Sequence, residues 1–398
     1  MRSRIRTGGR PIAAPLEAPV PARDSQEATR RRPVGWLRAA LAAAAVAAST
    51  AAPATPAAAA TPPPHDDTPA ADRAYVANAT ARTVSFLDLD DRTVTHTVAV
   101  PSGAVDVAVS RQRHRAFVTG GSGSHTVTVL DTERARVVRT IPVGARPEGV
   151  AVSRDGRRAY VTNADSGTVS VIDAFRGRAV RTVRVGSFPK GVAVSPDGRR
   201  VYVANLLSGS VSIIDTRRDR VVATVPLDTG TAAYDVAVSP DGALAYVSTG
   251  NGADAVSVID TRAATVLDTV PVEAGAESLT VAPDGSSVYV SSGFGNEEVS
   301  VIDTEIGVVA RSFRVPGGAE GLALGYDGRQ MYVTTGLGSR STVYVDTETD
   351  RVMGSTTVGT GPMSVAVEYE PEPRAPRAGA KGHVHWKTGR KESDAHTS

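Results

Sequence analysis

The 398-residue chain contains no cysteine. Disulfide bonds are therefore excluded, and so are zinc, haem and iron–sulfur sites that depend on thiolate ligands. Long hydrophobic runs are also absent. The apolar segment that runs from Ala39 to Ala48 spans about ten residues, whereas a membrane-spanning helix needs about 20. Burial of apolar side chains must stabilise the fold without covalent cross-links.

The first 60 residues contain nine arginines and only three acidic residues. Arg30-Arg31-Arg32 precede Trp36, Leu37 and the alanine-rich apolar segment. A basic region followed by a short apolar region and small residues is typical of an export signal. We therefore predict that residues 1–60 direct export, by the general secretory or the twin-arginine route. The mature protein would then be secreted, extracytoplasmic or at the cell surface, with no transmembrane span; an uncleaved membrane anchor is the alternative.

Two further segments lack the apolar periodicity of a folded domain. Residues 61–73 are rich in proline, which predicts an extended linker, and residues 370–398 predict a disordered polar tail. The formal charge is +2 for the whole chain and +6 for residues 1–60, so the remainder has a charge of −4. Because residues 61–398 are mildly acidic, they do not favour nucleic acid or an anionic membrane as a partner.

Between these segments, three markers each recur seven times, which indicates a repeat architecture. An aromatic residue followed by valine recurs every 42 to 44 residues, at Tyr75, Phe117, Tyr160, Tyr202, Tyr246, Tyr289 and Tyr332. An aspartate closes a valine-rich run at Asp88, Asp131, Asp173, Asp215, Asp260, Asp303 and Asp346. A short apolar run begins at Val107, Val150, Val192, Val236, Leu279, Leu322 and Val365.

Each repeat contains four strand signals, as the unit around Tyr160 illustrates. Residues 149–152 form a short apolar run, and 159–162 and 169–172 are rich in β-branched residues. Residues 179–185 alternate apolar and polar side chains, as an outer strand does. Four short strands in a repeat of about 42 residues predict one blade of a β-propeller.

The two ends of the repeat region are complementary. The first unit begins at its second strand, near Tyr75, and the last unit is a lone first strand at residues 364–367. If three N-terminal strands pair with this C-terminal strand, the seventh blade is complete and the ring has no open sheet edge at its junction. We therefore predict an all-β, seven-bladed propeller over residues 74–369, with four antiparallel strands per blade.

The motifs of the repeat resemble those of a known family. Residues 160–163 read Tyr-Val-Thr-Asn, residues 75–78 and 202–205 are close variants, and residues 195–198 read Ser-Pro-Asp-Gly. The chain resembles YVTN-repeat propellers, which include YncE-like periplasmic proteins and surface-layer repeat proteins. This resemblance implies the seven-bladed fold but no single activity, because related propellers include lactonases, quinoprotein-type dehydrogenase subunits and lyases.

The seven units differ from one another in length at only a few places. Only two loops differ in length: the loop between the second and third strands, and the loop from the fourth strand to the next first strand. Both loops emerge from one face, because the strands of a blade alternate in direction. Variation on one face of a repeat protein is typical of a binding face, with harmless drift of loop length as the alternative. We call this the variable face.

The residues just before each innermost strand should surround the channel mouth on the variable face. The candidate ligand-binding residues there are Asp106, Glu148, Lys190, Tyr234, Asp235, Glu277 and Glu320. Their carboxylates have the oxygen ligands that a hard divalent cation prefers, and they would also attract a basic ligand group. Solvated loop carboxylates are the alternative. We predict no cofactor, with a divalent cation at this acidic rim as the exception that the residues leave open.

The sequence contains no recognisable catalytic constellation. His125 is the one propeller histidine that we expect on the variable face, and its nearest acid, Asp106, is two strands away, or about 9–10 Å. That distance is too long for a His–Asp hydrogen bond. We therefore predict a monomeric, exported, non-catalytic module that binds a protein, glycan or small ligand. The alternatives are a propeller enzyme of the lactonase or quinoprotein-dehydrogenase-associated type and a cell-surface structural protein.

Deletion of residues 362–369 should open the ring and destabilise the whole propeller, because that segment supplies the strand that completes the closing blade. We expect thermal unfolding of the truncated chain at a clearly lower temperature than that of the full chain. An unchanged melting temperature would contradict the closure.

Overall fold

The computed structural model describes residues 72–228, 230–250, 254–272, 275–293 and 295–368. The predicted export region 1–60, the predicted tail 370–398 and most of the predicted linker 61–73 lie outside these ranges. Within them, the chain forms 28 β-strands in seven four-stranded antiparallel sheets, with a single 3-10 turn at Arg111–Arg113. The described residues contain no helix that is long and apolar enough to cross a membrane.

We number the blades in chain order and give each one from its innermost strand outward. Blade 1 contains β28 (Pro362–Glu368), β1 (Arg73–Asn78), β2 (Thr83–Asp88) and β3 (Thr93–Ala99). Blade 2 contains β4 (Val107–Ser110), β5 (Arg115–Thr119), β6 (Thr126–Asp131) and β7 (Arg136–Pro142). Blade 3 contains β8 (Pro147–Val152), β9 (Arg158–Asn163), β10 (Thr168–Asp173) and β11 (Arg178–Arg184).

The remaining blades repeat this order. Blade 4 contains β12 (Pro189–Val194), β13 (Arg200–Asn205), β14 (Ser210–Asp215) and β15 (Arg220–Pro226). Blade 5 contains β16 (Ala232–Val238), β17 (Leu244–Gly250), β18 (Ala255–Asp260) and β19 (Thr265–Pro271). Blade 6 contains β20 (Leu279–Val281), β21 (Ser287–Ser291), β22 (Glu298–Asp303) and β23 (Val308–Arg314). Blade 7 contains β24 (Leu322–Leu324), β25 (Gln330–Thr334), β26 (Ser341–Asp346) and β27 (Arg351–Thr357).

The predicted fold and its closure are confirmed. β28 pairs antiparallel with β1, with Val365 opposite Val76. The hydroxyl of the adjacent residue, Tyr75, donates a hydrogen bond to the Glu368 carboxylate at the end of β28. β1 begins at Arg73, one residue before the predicted start of the propeller.

The hydrophobic core is divided among the seven junctions between blades. Each of seven buried clusters combines side chains from two neighbouring blades. Successive residues of a central strand serve opposite neighbours, because side chains alternate across a sheet. Tyr160 packs with Val203 of blade 4, whereas Val161 packs with Phe117 and Val127 of blade 2. No blade can therefore bury its central strands alone.

The aspartate that recurs at the end of each third strand has a structural role. In all seven blades its Oδ1 accepts the backbone N–H groups of the second and third residues that follow it. Such an Asx turn starts the hairpin into the outer strand. These seven hairpins lie on the face opposite the variable face.

The threonine of the Tyr-Val-Thr-Asn motif joins neighbouring blades around the channel. The Thr162 hydroxyl donates to the Lys190 carbonyl of the next blade at 2.7 Å and accepts the Gly149 N–H at 2.8 Å. The same two hydrogen bonds recur at equivalent hydroxyls in four other blades, those of Thr119, Ser248, Ser291 and Thr334. These bonds hold the backbone at the channel mouth in place.

Blades 1 and 4 have Ala77 and Ala204 at this position and so lack the hydroxyl. The blade that follows each of them carries an aspartate just before the apolar run of its innermost strand: Asp106 precedes Val107 and Asp235 precedes Val236. Asp106 accepts hydrogen bonds from the Ser364 hydroxyl of blade 1 at 2.6 Å and from the Val150 N–H of blade 3 at 2.8 Å. Its carboxylate thus joins three blades.

Asp235 makes a similar junction between blades 5 and 6. Its Oδ2 accepts the Ser278 hydroxyl at 3.2 Å and the Leu279 N–H at 3.3 Å. Burial in the channel raises the pKa of both aspartates, although their hydrogen bonds act in the opposite direction. The pKa of Asp106 is raised to about 6. Both carboxylates therefore join neighbouring blades by hydrogen bonds.

Substitution Thr162→Ala should lower the free energy of unfolding by about 1–3 kcal/mol, because the buried Gly149 N–H and Lys190 carbonyl lose their partner. Thr162→Ser keeps the hydroxyl and is the matched control. Chemical denaturation followed by circular dichroism measures both variants. Equal losses for the serine and alanine variants would contradict a role of the hydroxyl.

The raised pKa of Asp106 predicts a pH effect on stability. The folded state holds the proton more tightly than the unfolded state, so the contribution of Asp106 is fully present below about pH 4 and is lost as the pH rises through about 6. The difference in unfolding free energy between wild type and Asp106→Asn should therefore fall by about 2 kcal/mol from pH 4 to pH 7. Asp268→Asn, on an exposed outer strand, is the control. A difference that rises with pH would mean that the hydrogen bonds outweigh desolvation.

Candidate functional site

The channel mouth lies on the variable face, where the chain enters each innermost strand. One residue per blade surrounds it, and together they form what we call the mouth ring. The mouth ring consists of Val105, Glu148, Lys190, Tyr234, Glu277, Glu320 and Met363. In five blades, a hydroxyl of the preceding blade holds the ring carbonyl. The ring side chains therefore project from a fixed backbone.

Glycines after the second strands leave room for several ring side chains. A Cβ at Gly293 would lie 2.4 Å from Oε2 of Glu277, and one at Gly336 would lie 2.9 Å from Oε2 of Glu320. These distances are too short for any larger residue unless the glutamates move. The glycines thus allow both carboxylates to lie against the neighbouring backbone, where they are buried.

Lys190 extends from blade 4 across the mouth. Its Nζ lies 2.5 Å from Oε1 of Glu277 in blade 6 and 4.9 Å from the ring centroid of Tyr234 in blade 5. Desolvation lowers the pKa of Lys190, but the carboxylates of Glu277, Glu148 and Glu320 outweigh it and hold the pKa above its ordinary value. The ammonium group is therefore charged throughout the neutral pH range.

A second ion pair lies on the same side of the mouth. Nε of Arg146 donates to Oε1 of Glu148 at 2.7 Å, and both side chains are largely enclosed. The Arg146 guanidinium also stacks on Phe188 of the next blade, 4.6 Å from its ring centroid. Cation–π contact and ion pair together hold the guanidinium in one orientation.

Arg146 and Phe188 occupy equivalent positions, each two residues before the mouth ring. Their backbones are left-handed, with φ of 55° and 54°. Glycine with a positive φ occupies this position in blades 1, 6 and 7, at Gly361, Gly275 and Gly318. Large side chains rarely adopt this conformation, and it costs about 1–3 kcal/mol. The backbone alone favours glycine here, so Arg146 and Phe188 hold this conformation at a cost that their stacking contact helps to offset.

Glu277 has one oxygen without a partner. Its Oε1 accepts from Lys190, whereas the buried Oε2 has no hydrogen-bond donor among the described residues. A buried carboxylate oxygen without a donor is costly, and such groups are rare in folded proteins. Oε2 is therefore a point at which a ligand with an N–H or O–H group would be stabilised.

Five of the seven predicted site residues lie in the mouth ring, and the structure brings three of them, Lys190, Tyr234 and Glu277, into direct contact. Asp106 and Asp235 lie one residue further into the channel, where they join blades. Sequence reasoning missed Arg146 and Phe188. The sequence feature that could have indicated them is the replacement of glycine by a large residue two positions before the mouth ring, where blades 1, 6 and 7 have glycine.

The geometry does not support a divalent cation at the rim. Glu148 and Glu277 are paired with Arg146 and Lys190, which compete with a cation for their oxygens. In the part of the chain that the structure describes, no group of three or more His, Asp or Glu side chains is placed to hold a metal ion. His125 is exposed just before β6 and is not part of the mouth ring.

Two family models match parts of the chain. Residues 111–235 match the model described as the cytochrome D1 heme domain, and residues 227–374 match the model described as the YNCE-like beta-propeller. The first segment contains blade 2 without its innermost strand β4, the whole of blades 3 and 4, and the start of blade 5. It therefore includes Arg146, Glu148, Phe188, Lys190 and Tyr234. No curated protein matches the chain.

Solved structures share the fold at low sequence identity. Hydrazine synthase of Kuenenia stuttgartiensis is 22% identical with a TM-score of 0.59, and the match covers 70% of this chain and 98% of that one. A functionally unknown protein from Desulfotomaculum acetoxidans DSM 771 is 18% identical, with a TM-score of 0.64 and coverages of 75% and 99%. Dihydro-heme d1 dehydrogenase NirN, solved in complex with DHE, is 18% identical, with a TM-score of 0.54 and coverages of 79% and 77%.

The match to a haem-domain model overturns the prediction that the chain has no cofactor. That prediction rested on the search for histidine and thiolate ligands, which overlooked binding by aromatic and cationic side chains. The predicted resemblance, in contrast, is confirmed by the match of residues 227–374 together with the seven closed blades. The chain is a YncE-like seven-bladed β-propeller.

Proposed function

We propose that the channel mouth binds a haem-type tetrapyrrole and that the protein is a propeller enzyme of the redox type. The observation that carries this proposal is the cluster of Arg146, Phe188, Lys190 and Tyr234, which lies within the segment that resembles a cytochrome D1 heme domain. The proposal replaces a purely non-catalytic binding module. Its support lies in the residue types of the mouth and in the family match, not in the low-identity structural neighbours.

The residues present fit such a group in chemical type. Tetrapyrroles are planar aromatic rings that carry carboxylate substituents, so they suit aromatic faces and cations placed close together. Phe188 and Tyr234 supply the aromatic faces, and Arg146 and Lys190 supply the cations. Met363 adds a thioether to the mouth ring, and thioether sulfur and tyrosine oxygen are both known haem-iron ligands. When bound, the group would supply an iron centre for electron transfer.

Glu148 and Glu277 determine how strongly the cations attract a ligand. Each carboxylate neutralises one cation in the absence of ligand, which lowers the cost of holding a cation in an enclosed site. The Lys190 ammonium has three N–H donors, and Glu277 accepts one of them. The others can bind ligand carboxylates while the ion pair stays intact.

The acid–base properties of the mouth limit the role of Lys190. Since its pKa lies above the ordinary value, Lys190 is a fixed positive charge and not a general base. Oε2 of Glu277 remains an acceptor for a protonated ligand group. These two side chains would orient an acidic, hydrogen-bond-donating edge of the ligand toward blades 4 and 6.

Export belongs to the same proposal. The arginine-rich and alanine-rich region in residues 1–60 supports an extracytoplasmic location.

Titration of the purified full chain with ferric protoporphyrin IX haem tests the proposal. We expect a saturable shift of the Soret absorbance band at one haem per chain. Phe188→Gly should weaken binding at least tenfold, because the aromatic face is lost. The glycine suits the left-handed backbone at this position, so the variant should fold. Lys190→Gln tests the charge at the mouth in the same assay.

Arg184→Ala, on the exposed outer strand β11, is the matched control and should bind haem like wild type. Thermal melting of each variant separates loss of binding from loss of folding. Absence of a Soret shift, or equal binding by wild type and the two mouth variants, would contradict a tetrapyrrole site at the mouth.

A further inference from the structure

The charges of the propeller are separated by blade. Blades 2 to 4, residues 107–226, contain 20 lysine and arginine residues and 9 aspartate and glutamate residues, a net charge of +11. Blades 5 to 7, residues 227–361, contain 6 basic and 18 acidic residues, a net charge of −12. We call these the basic arc and the acidic arc. The small net charge of the chain conceals two opposite and nearly equal regions.

The outer wall of the basic arc is an edge-strand surface without acidic residues. Its strands β7, β11 and β15 carry six exposed arginines: Arg136, Arg139, Arg178, Arg181, Arg184 and Arg220. Charged residues commonly protect exposed sheet edges from aggregation. Edge protection does not explain why the arginines are concentrated on blades 2 to 4, because the outer strands β3 and β19 of blades 1 and 5 are equally exposed edges and contain no arginine or lysine.

A row of exposed apolar side chains lies among these arginines. Val138, Val180 and Val222 occupy equivalent positions on three consecutive outer strands and are 38%, 42% and 46% exposed. Leu267 continues the row on β19 of blade 5. An apolar centre with a charged rim is the arrangement of a protein–protein interface, not of a surface that binds a polyanion through charge alone.

The acidic arc presents the complementary arrangement. On blades 6 and 7, Ile306 is 65% exposed and Tyr326 is 62% exposed. Exposed carboxylates lie directly beside them in the chain, Glu305 and Asp327. Glu348 lies in the next hairpin of blade 7, where the exposed Arg329 approaches it to 3.5 Å and compensates one of the negative charges. The exposed apolar side chains are thus accompanied by positive charge on one arc and by negative charge on the other.

We propose that the basic arc of one molecule docks on the acidic arc of a second copy of the same chain. The two surfaces differ, so the contact is heterologous: each molecule uses its basic arc for one neighbour and keeps its acidic arc for another. Such a contact forms a closed ring or a linear chain of propellers. The attraction acts over distances near the Debye length, so salt weakens it. This replaces the predicted monomer.

Sedimentation velocity of the purified full chain tests this docking. At 20 mM salt, the mean sedimentation coefficient should rise as the protein concentration rises from 1 to 100 µM, and at 500 mM salt the rise should disappear. A wall variant, Arg136→Glu with Arg181→Glu and Arg184→Glu, should associate at least tenfold more weakly. An arc variant, Glu305→Arg with Asp327→Arg and Glu348→Arg, should do the same. The wall variant brings the net charge of the three outer strands from +6 to 0, and the arc variant replaces three exposed carboxylates of the acidic arc by arginines, so each variant disables one of the two surfaces.

An equimolar mixture of the wall variant and the arc variant should associate again, but only as far as a heterodimer, because the intact wall of the arc variant meets the intact acidic arc of the wall variant and no second contact is possible. Arg262→Glu with Arg314→Glu and Arg340→Glu is the control. It makes the same net charge change outside the basic arc and should keep the association.

A wild-type chain that sediments as a monomer at 20 mM salt and 100 µM would overturn the proposal. So would a control variant that loses association as the wall variant does, or a mixture that fails to restore it. Binding of single-stranded DNA by the basic arc of a wild-type chain that sediments as a monomer would assign that surface to a foreign polyanion and would likewise overturn it.

Discussion

Burial of each blade against two neighbours is the constraint on which the rest of the structure depends. Successive side chains of a central strand pack into opposite junctions, as Tyr160 and Val161 do. A blade is therefore stable only within a closed ring, and closure requires β28 to pair with β1. Because this packing restricts the inner strands, sequence differences between blades concentrate in loops and on outer strands, where function can develop.

The side chains at the channel mouth are distributed unevenly among the blades, although the backbone that holds them is nearly symmetric. Thr162 and its equivalents hold the ring carbonyls in five blades, and Asp106 and Asp235 take part in the junctions after the two blades that lack the hydroxyl. On that frame, the cations and aromatic rings gather on blades 3 to 5. Lys190 lies between Tyr234 and Glu277, so its one long side chain extends from blade 4 past blade 5 to blade 6.

The separation of charge follows from the same architecture. Outer strands contact solvent, so their residues are free to differ from blade to blade without loss of core packing. Arginines could therefore accumulate on the outer strands of blades 2 to 4. The outer strands of blades 5 to 7 contain one carboxylate, Asp268, and the other carboxylates of these blades lie in turns, loops and inner strands. The closed ring keeps most of these charges on separate arcs, and the Lys190–Glu277 ion pair at the channel mouth joins the two arcs.

The sequence by itself determined the strand order, the number of blades and the closure, because alternating side chains and a repeat of about 42 residues leave one compatible packing. It also placed Glu148, Lys190, Tyr234, Glu277 and Glu320 at one mouth. Only the tertiary structure decided which of them meet, since partners such as Lys190 and Glu277 lie two blades apart and no sequence spacing encodes a distance across the ring. For the same reason, the structure alone assigned Asp106 and Asp235 to the junctions and revealed the Arg146–Phe188 stack.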